Sequence, residues 1–198
     1  MKVVGIDLSM TSTGLAMVET QSGIRLERIR SKPDRCAVGP PSLQQRADRT
    51  DAIRREVLKT TGVWPAGDPD PDLVVIEAPS FGSGASAGVW DRAGLWWSVI
   101  HGIHPHIPVV EVSPHQVRKY ATGSASTSGK TKVTKDMVLA AVIRRYVHAP
   151  VDGNDVADAL ILAAIGARLL GHPIETALPV ANLAALDKLR LPERSTLV

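Results

Sequence analysis

Two short apolar runs, Val3-Val4-Gly5-Ile6 and Leu73-Val74-Val75-Ile76, each stop at a carboxylate, Asp7 and Glu77. Such runs, rich in β-branched residues and followed by turn formers, read as buried core strands, which puts both acids at strand tips. This constrains the fold strongly, because a charge at the mouth of a core needs a partner; left unpaired it costs several kcal/mol or takes up a proton. Two more acids lie in Asp155-Val156-Ala157-Asp158-Ala159-Leu160-Ile161-Leu162. Residues three apart share one face of a helix, so this pair is expected to point one way. Taken singly, other roles stay open: a solvated strand end for Glu77, and favourable interaction with a helix dipole for Asp155 and Asp158. Taken together, four carboxylates need cations, and hard oxygen donors suit Mg²⁺ or Mn²⁺. Two such ions about 4 Å apart are the usual apparatus for in-line attack on a phosphodiester. Asp152 reads as the N-cap of the helix that carries the pair.

The rest of the pattern alternates strands and helices within one domain of ordinary size. Strands are expected over residues 2–8, 14–20 and 24–30, the last two joined by Gln21-Ser22-Gly23 as an antiparallel meander. Ser42 is positioned to cap a polar helix to about Lys59, with Leu43, Ala47, Ile53, Val57 and Leu58 toward the sheet. After the strand ending at Glu77 comes a small-residue loop over 80–88, then a helix over 89–103 that holds Trp90, Trp96 and Trp97. That helix is apolar on more than one face, more than docking on one sheet buries, so a second apolar partner is expected. A fifth strand over 108–112, a short helix through Tyr120, a mobile loop over 123–129 and helices over 132–147 and 155–170 complete the domain, assigned to residues 1–170. Residues 171–198 are expected to form a tail, partly helical or disordered.

The net charge of +3 decides little, but its distribution is informative. Between Ser113 and Tyr146 seven cations, Arg118, Lys119, Lys130, Lys132, Lys135, Arg144 and Arg145, face one anion, Asp136. An excess of that size beside an acidic metal site suits a phosphate backbone. The single cysteine, Cys36, excludes an intramolecular disulfide and a cysteine-ligated metal, which fits a reducing cytoplasm. No apolar run approaches the roughly 20 residues of a membrane span, and no charged-then-apolar leader opens the chain. The expectation is a cytoplasmic protein with no membrane partner. The histidines show no metal-ligand spacing.

The segments Gly5-Ile6-Asp7-Leu8-Ser9-Met10-Thr11-Ser12-Thr13-Gly14, Val75-Ile76-Glu77, Val112-Ser113-Pro114-His115-Gln116-Val117-Arg118-Lys119 and Asp155-Val156-Ala157-Asp158-Ala159-Leu160 resemble the RuvC family of Holliday-junction resolvases. The resemblance spans about residues 2 to 170, and its most specific part is the spaced acid set with the final Asp-x-x-Asp-Ala. It implies an α/β, ribonuclease H-like fold, a central five-stranded mixed sheet flanked by helices. It also implies a homodimeric, metal-dependent endonuclease that nicks two strands of a four-way DNA junction, with no nucleotide cofactor. Asp7, Glu77, Asp155 and Asp158 would hold Mg²⁺ or Mn²⁺, two per site. Arg118, Lys119, Lys130, Lys132 and Lys135 would meet the DNA backbone, with Lys132 the candidate for the scissile phosphate, although the lysine spacing does not align uniquely. Phe81, four residues past Glu77, would be the aromatic that stacks on an unpaired base.

Two alternatives compete with this reading. The first segment also resembles the first phosphate loop of actin- and sugar-kinase-like phosphotransferases. Those enzymes need two such domains and a glycine-rich adenosine motif, and Asp155-x-x-Asp158 has no place in them. A non-catalytic junction-binding protein is the other, and the complete acid set speaks against it.

Overall fold

A computed structural model of the chain describes residues 1–32, 39–64, 70–79 and 88–193. Its elements are β1 (Lys2–Asp7), β2 (Ser12–Glu19), β3 (Gly23–Arg30), α1 (Leu43–Thr60), β4 (Leu73–Glu77), α2 (Val89–Ile103), β5 (Val109–Val112), α3 (Pro114–Thr122), a 3₁₀ turn (Gly129–Thr131), α4 (Lys135–Arg145), α5 (Asn154–Leu169) and α6 (Val180–Leu183). The strands form one five-stranded mixed sheet in the order β3-β2-β1-β4-β5. β1, β2 and β3 pair antiparallel, as the two short connections allow, while β4 and β5 run parallel to β1 after helical crossovers.

Helices cover both faces. Side chains alternate across a strand, so Val3, Leu73 and Val75 enter one core with α5, α3 and α4, while Val4, Ile6, Val74 and Ile76 enter the other with α1 and α2. α5 is the central helix of the first face, with eleven of its sixteen residues buried. A helix apolar all round must be covered on every side. The sheet lies beneath it and α3 and α4 lie beside it. Small residues allow a close approach: a Cβ on Gly14 would lie 2.1 Å from the Asp155 carbonyl oxygen, and one on Gly5 would lie 2.1 Å from that of Ala159. β1 and β2 are thereby pressed against the first two turns of α5.

Several boundaries differ from the sequence reading for local reasons. α4 begins at Lys135, because Thr134 caps it by accepting from the Met137 N–H, and Lys132 keeps a non-helical backbone after the 3₁₀ turn. Asp152 does not cap α5; the cap position belongs to Gly153, and the Asp152 carboxylate is bound by Arg28 instead. In α1, Ile53, Val57 and Leu58 face the sheet, but Leu43 is 76% exposed and Ala47 is exposed too. The first half of that helix is held by polar bonds, from Arg46 to Asp91 of α2 and from Arg49 to the Ser31 hydroxyl.

The segment after Gly171 packs on the α5 face through Ala185 and Leu189, with Ile174, Leu178 and Leu186 at its margin. It is anchored by Glu175, which is 8% exposed. Its Oε1 accepts from the Tyr120 and Tyr146 hydroxyls, and Arg168 bonds its Oε2 at 2.9 Å and Tyr120 Oη at 3.0 Å. A buried charge held this way has its desolvation offset by bonds from three partners, Tyr120, Tyr146 and Arg168. No helix among the described residues is long and apolar enough to cross a membrane.

Candidate active site

The alternation that sorts the cores also aims the acids. Asp7 follows Val3 and Gly5 in parity, and Glu77 follows Leu73 and Val75, so both carboxyls rise on the α5 side of the sheet. β1 and β4 are adjacent and parallel with Ile6 opposite Ile76, which leaves Asp7 and Glu77 as neighbours at the strands' carboxyl ends. Asp7 pairs across to Gly14, the residue beneath Asp155, so the start of α5 stands over the same spot. Asp158, one turn along, completes a cluster of three.

Three carboxyls so confined hold their protons to higher pH than usual. Burial, with repulsion from Asp158 and Asp155, pushes Asp7 from 3.8 to about 7. Burial and the nearby Asp7 and Asp158 push Glu77 from 4.5 to about 8. Asp158 rises to about 6 through burial, opposed by the positive charges of Lys135 and Arg118. The charge on Asp7 thus strengthens the hold of Glu77 on its proton, as expected of two acids confined together.

Asp155 is drawn elsewhere, although the sequence spacing aims it with Asp158. Its Oδ2 accepts from Arg28 Nε at 2.6 Å and from the Ser12 hydroxyl, and its Oδ1 accepts from Arg28 Nη2 at 2.8 Å and the Val156 N–H at 3.0 Å. Burial alone would raise this carboxyl, but those bonds outweigh it and hold it below its ordinary range. Among the described residues no three of His, Cys, Asp and Glu are gathered closely enough to cage an ion. The donor set nevertheless fits a hard divalent cation: all oxygen, confined, and holding protons that a cation would replace.

The basic residues divide into two groups. Lys135, at the first position of α4, and Arg118 of α3 act on the acids directly, and Lys135 lowers the proton affinity of all three. Lys130 and Lys132 are exposed on the 3₁₀ turn and just after it, and Lys119 is half-buried on α3. Phe81 lies outside the described residues. Trp96 is half-buried, and its indole N–H donates to the Glu77 carbonyl at 3.1 Å, tying α2 to the end of β4. Trp90 and Trp97 are 81% and 55% exposed.

Arg28, Ser12 and Trp96 are site residues that motif reading passed over. Arg28 had a signal: in β3 it shares the parity of Ile24 and Leu26, which pack on the α5 core, so a cation occupies an apolar slot. Ser12 and Trp96 had none, because their partners lie 143 and 19 residues away.

No family model matches the sequence, and no curated protein matches it. Solved structures do. The chain is similar to Thermus thermophilus RuvC at 20% identity and TM-score 0.58, over 87% of this chain and 98% of that one. It is similar to the T. thermophilus RuvC in complex with a Holliday junction substrate at 19% identity and TM-score 0.59, over 87% and 97%. It also matches the Fowlpox virus resolvase bound to Holliday junction DNA at 12% identity and TM-score 0.52, over 86% and 99%. The fold is therefore the ribonuclease H-like fold of these proteins, as the sequence resemblance implied.

Proposed function

We propose that this chain is a divalent-metal-dependent endonuclease that resolves four-way DNA junctions by paired nicks. The observation that carries the reading is the cluster of Asp7, Glu77 and Asp158, three confined carboxyls with raised proton affinity at the carboxyl ends of β1 and β4, flanked by Arg118 and Lys135. Such an arrangement is costly to the fold and is expected where a site serves chemistry. Two similar structures are bound to Holliday junction DNA, which supports branched DNA as the substrate.

Asp7, Glu77 and Asp158 would hold Mg²⁺ or Mn²⁺, with Asp155 completing a two-ion site. The ions would supply activation of the attacking water and stabilisation of the leaving 3′-oxygen, giving 5′-phosphate ends. Lys135 and Arg118 place positive charge beside the acids, where it offsets charge building on the scissile phosphate. Lys119, Lys130 and Lys132 bind the neighbouring backbone, and Trp96 holds the Glu77 backbone in place. A symmetric junction needs two nicks and one chain has one site, so the working unit is a two-fold dimer through α2, whose Trp90 and Trp97 supply exposed apolar area. The test is cleavage of a synthetic four-way junction with Mg²⁺ and no nucleotide, for wild type and Asp7→Asn. The expected result is Mg²⁺-dependent paired nicks by the wild type only, with junction binding kept within a few-fold in the variant. Equal cutting by both removes Asp7 from the site.

A further inference from the structure

Asp155 is saturated in a way that Asp7, Glu77 and Asp158 are not. An ionised carboxylate offers about four lone-pair positions, and here two are taken by Arg28, one by Ser12 and one by the Val156 N–H. Arg28 is committed in turn, its other two bonds going to Asp152 at 2.8 and 3.2 Å. Three elements build this contact. β3 sets Arg28 opposite Gly14 of β2, and Gly14 lies beneath Asp155 of α5. Space is kept for the guanidinium, since a Cβ on Gly153 would lie 2.5 Å from Arg28 Nη2. The two side chains are only 15% and 16% exposed, so solvent screens the pair weakly.

A planar guanidinium lying across both carboxylate oxygens leaves no position for a second cation. Resting on the metal-nuclease reading above, we infer that Arg28 occupies the place of a second divalent ion. The DNA-free protein then binds one ion, at Asp7, Glu77 and Asp158, and a second enters only as Arg28 leaves Asp155. A DNA phosphate is a suitable lure, because the guanidinium fork pairs with phosphate as it does with carboxylate. Arg28 is thus a positioning residue that makes the complete metal set conditional on substrate.

The test is a Mn²⁺ titration of the full chain without DNA, read by calorimetry and by electron paramagnetic resonance of free Mn²⁺. The wild type should bind one ion per chain and Arg28→Gln two, and Arg28→Gln with Asp155→Asn should return to one. Thermal melts establish that each variant folds. If Arg28→Gln does not, Arg28→Lys serves, since one ammonium cannot cover both oxygens, and it too should admit a second ion. Two ions in the DNA-free wild type, or one in the folded Arg28 variant, overturns the inference and leaves the nuclease reading intact. No ion bound by the wild type, together with no Mg²⁺-dependent junction cutting, overturns both.

Discussion

Asp7→Asn should stabilise the metal-free protein while abolishing cleavage, and the size of the gain can be worked from the site. Burial and the neighbouring acids raise Asp7 from 3.8 to about 7. Below pH about 4 the folded and unfolded chains both keep this proton, and there is no penalty. Between about 4 and 7 the folded state retains a proton that the unfolded chain has released, so stability falls by up to about 1.4 kcal/mol per pH unit. Some three units give an upper bound of about 4 kcal/mol at pH 8. An asparagine amide that bonds imperfectly takes back about 1–2 kcal/mol, which leaves a net gain of about 2–3 kcal/mol. For a chain of this size that is roughly 5–10 °C in melting temperature. The assay is thermal or urea unfolding of both proteins in chelator at pH 4, 6 and 8. Their difference at each pH cancels the titrating groups that do not interact with Asp7, while Glu77, relieved of its neighbour's charge, adds to the gain. Mg²⁺ at 100 times its Kd returns about 2.7 kcal/mol to the wild type alone and should roughly cancel the difference, while at 1,000 times its Kd about 4.1 kcal/mol reverses the ranking. A variant no more stable than wild type at pH 8, with a pH-independent difference, would refute the account of Asp7 as a confined charge awaiting a cation.

Three further outcomes are expected. Replacing Lys130, Lys132 and Lys135 together with Ala should weaken junction binding and flatten its salt dependence by about 0.9 per lost phosphate contact; Lys135→Ala alone should lower kcat more than Lys132→Ala, and an unchanged salt slope would place the DNA elsewhere. Trp97→Arg should yield monomers with poor junction selectivity, and sedimentation showing a monomeric wild type at micromolar concentration, with and without junction DNA, would defeat the dimer. Glu175→Ala should destabilise the fold by about 3–5 kcal/mol, because Arg168 would be left buried with its partner gone; an unmoved urea midpoint would mean that the segment after Gly171 does not depend on this anchor.

The strands and the acids at their tips were legible in sequence because both rest on short-range rules. Short continuous runs rich in β-branched residues read Val3 to Asp7 and Leu73 to Glu77 as strands, and an acid at the end of an apolar run stands out without reference to any distant residue. The helix start at Ser42 was legible for the same reason: its capping box closes within four residues. Local pattern is silent where a longer-range partner competes. Asp152 has the composition of a cap, but Arg28, 124 residues earlier, takes its carboxylate. Asp155 and Asp158 share a helix face by spacing, yet Arg28 and Ser12 draw the first into an ion pair while the second joins Asp7 and Glu77.

The sequence by itself determined the strand and helix order, the carboxylates available and the basic stretch that follows them, since each is written in local pattern and residue type. Only the tertiary structure decided which carboxylates raise a neighbour's proton affinity, that Lys135 and Arg118 are the cations acting on them, and that one acid is held by an arginine. Those outcomes depend on distance, burial and competing partners among side chains far apart in the chain, and these exist only once β1, β3, β4 and α5 have been packed together.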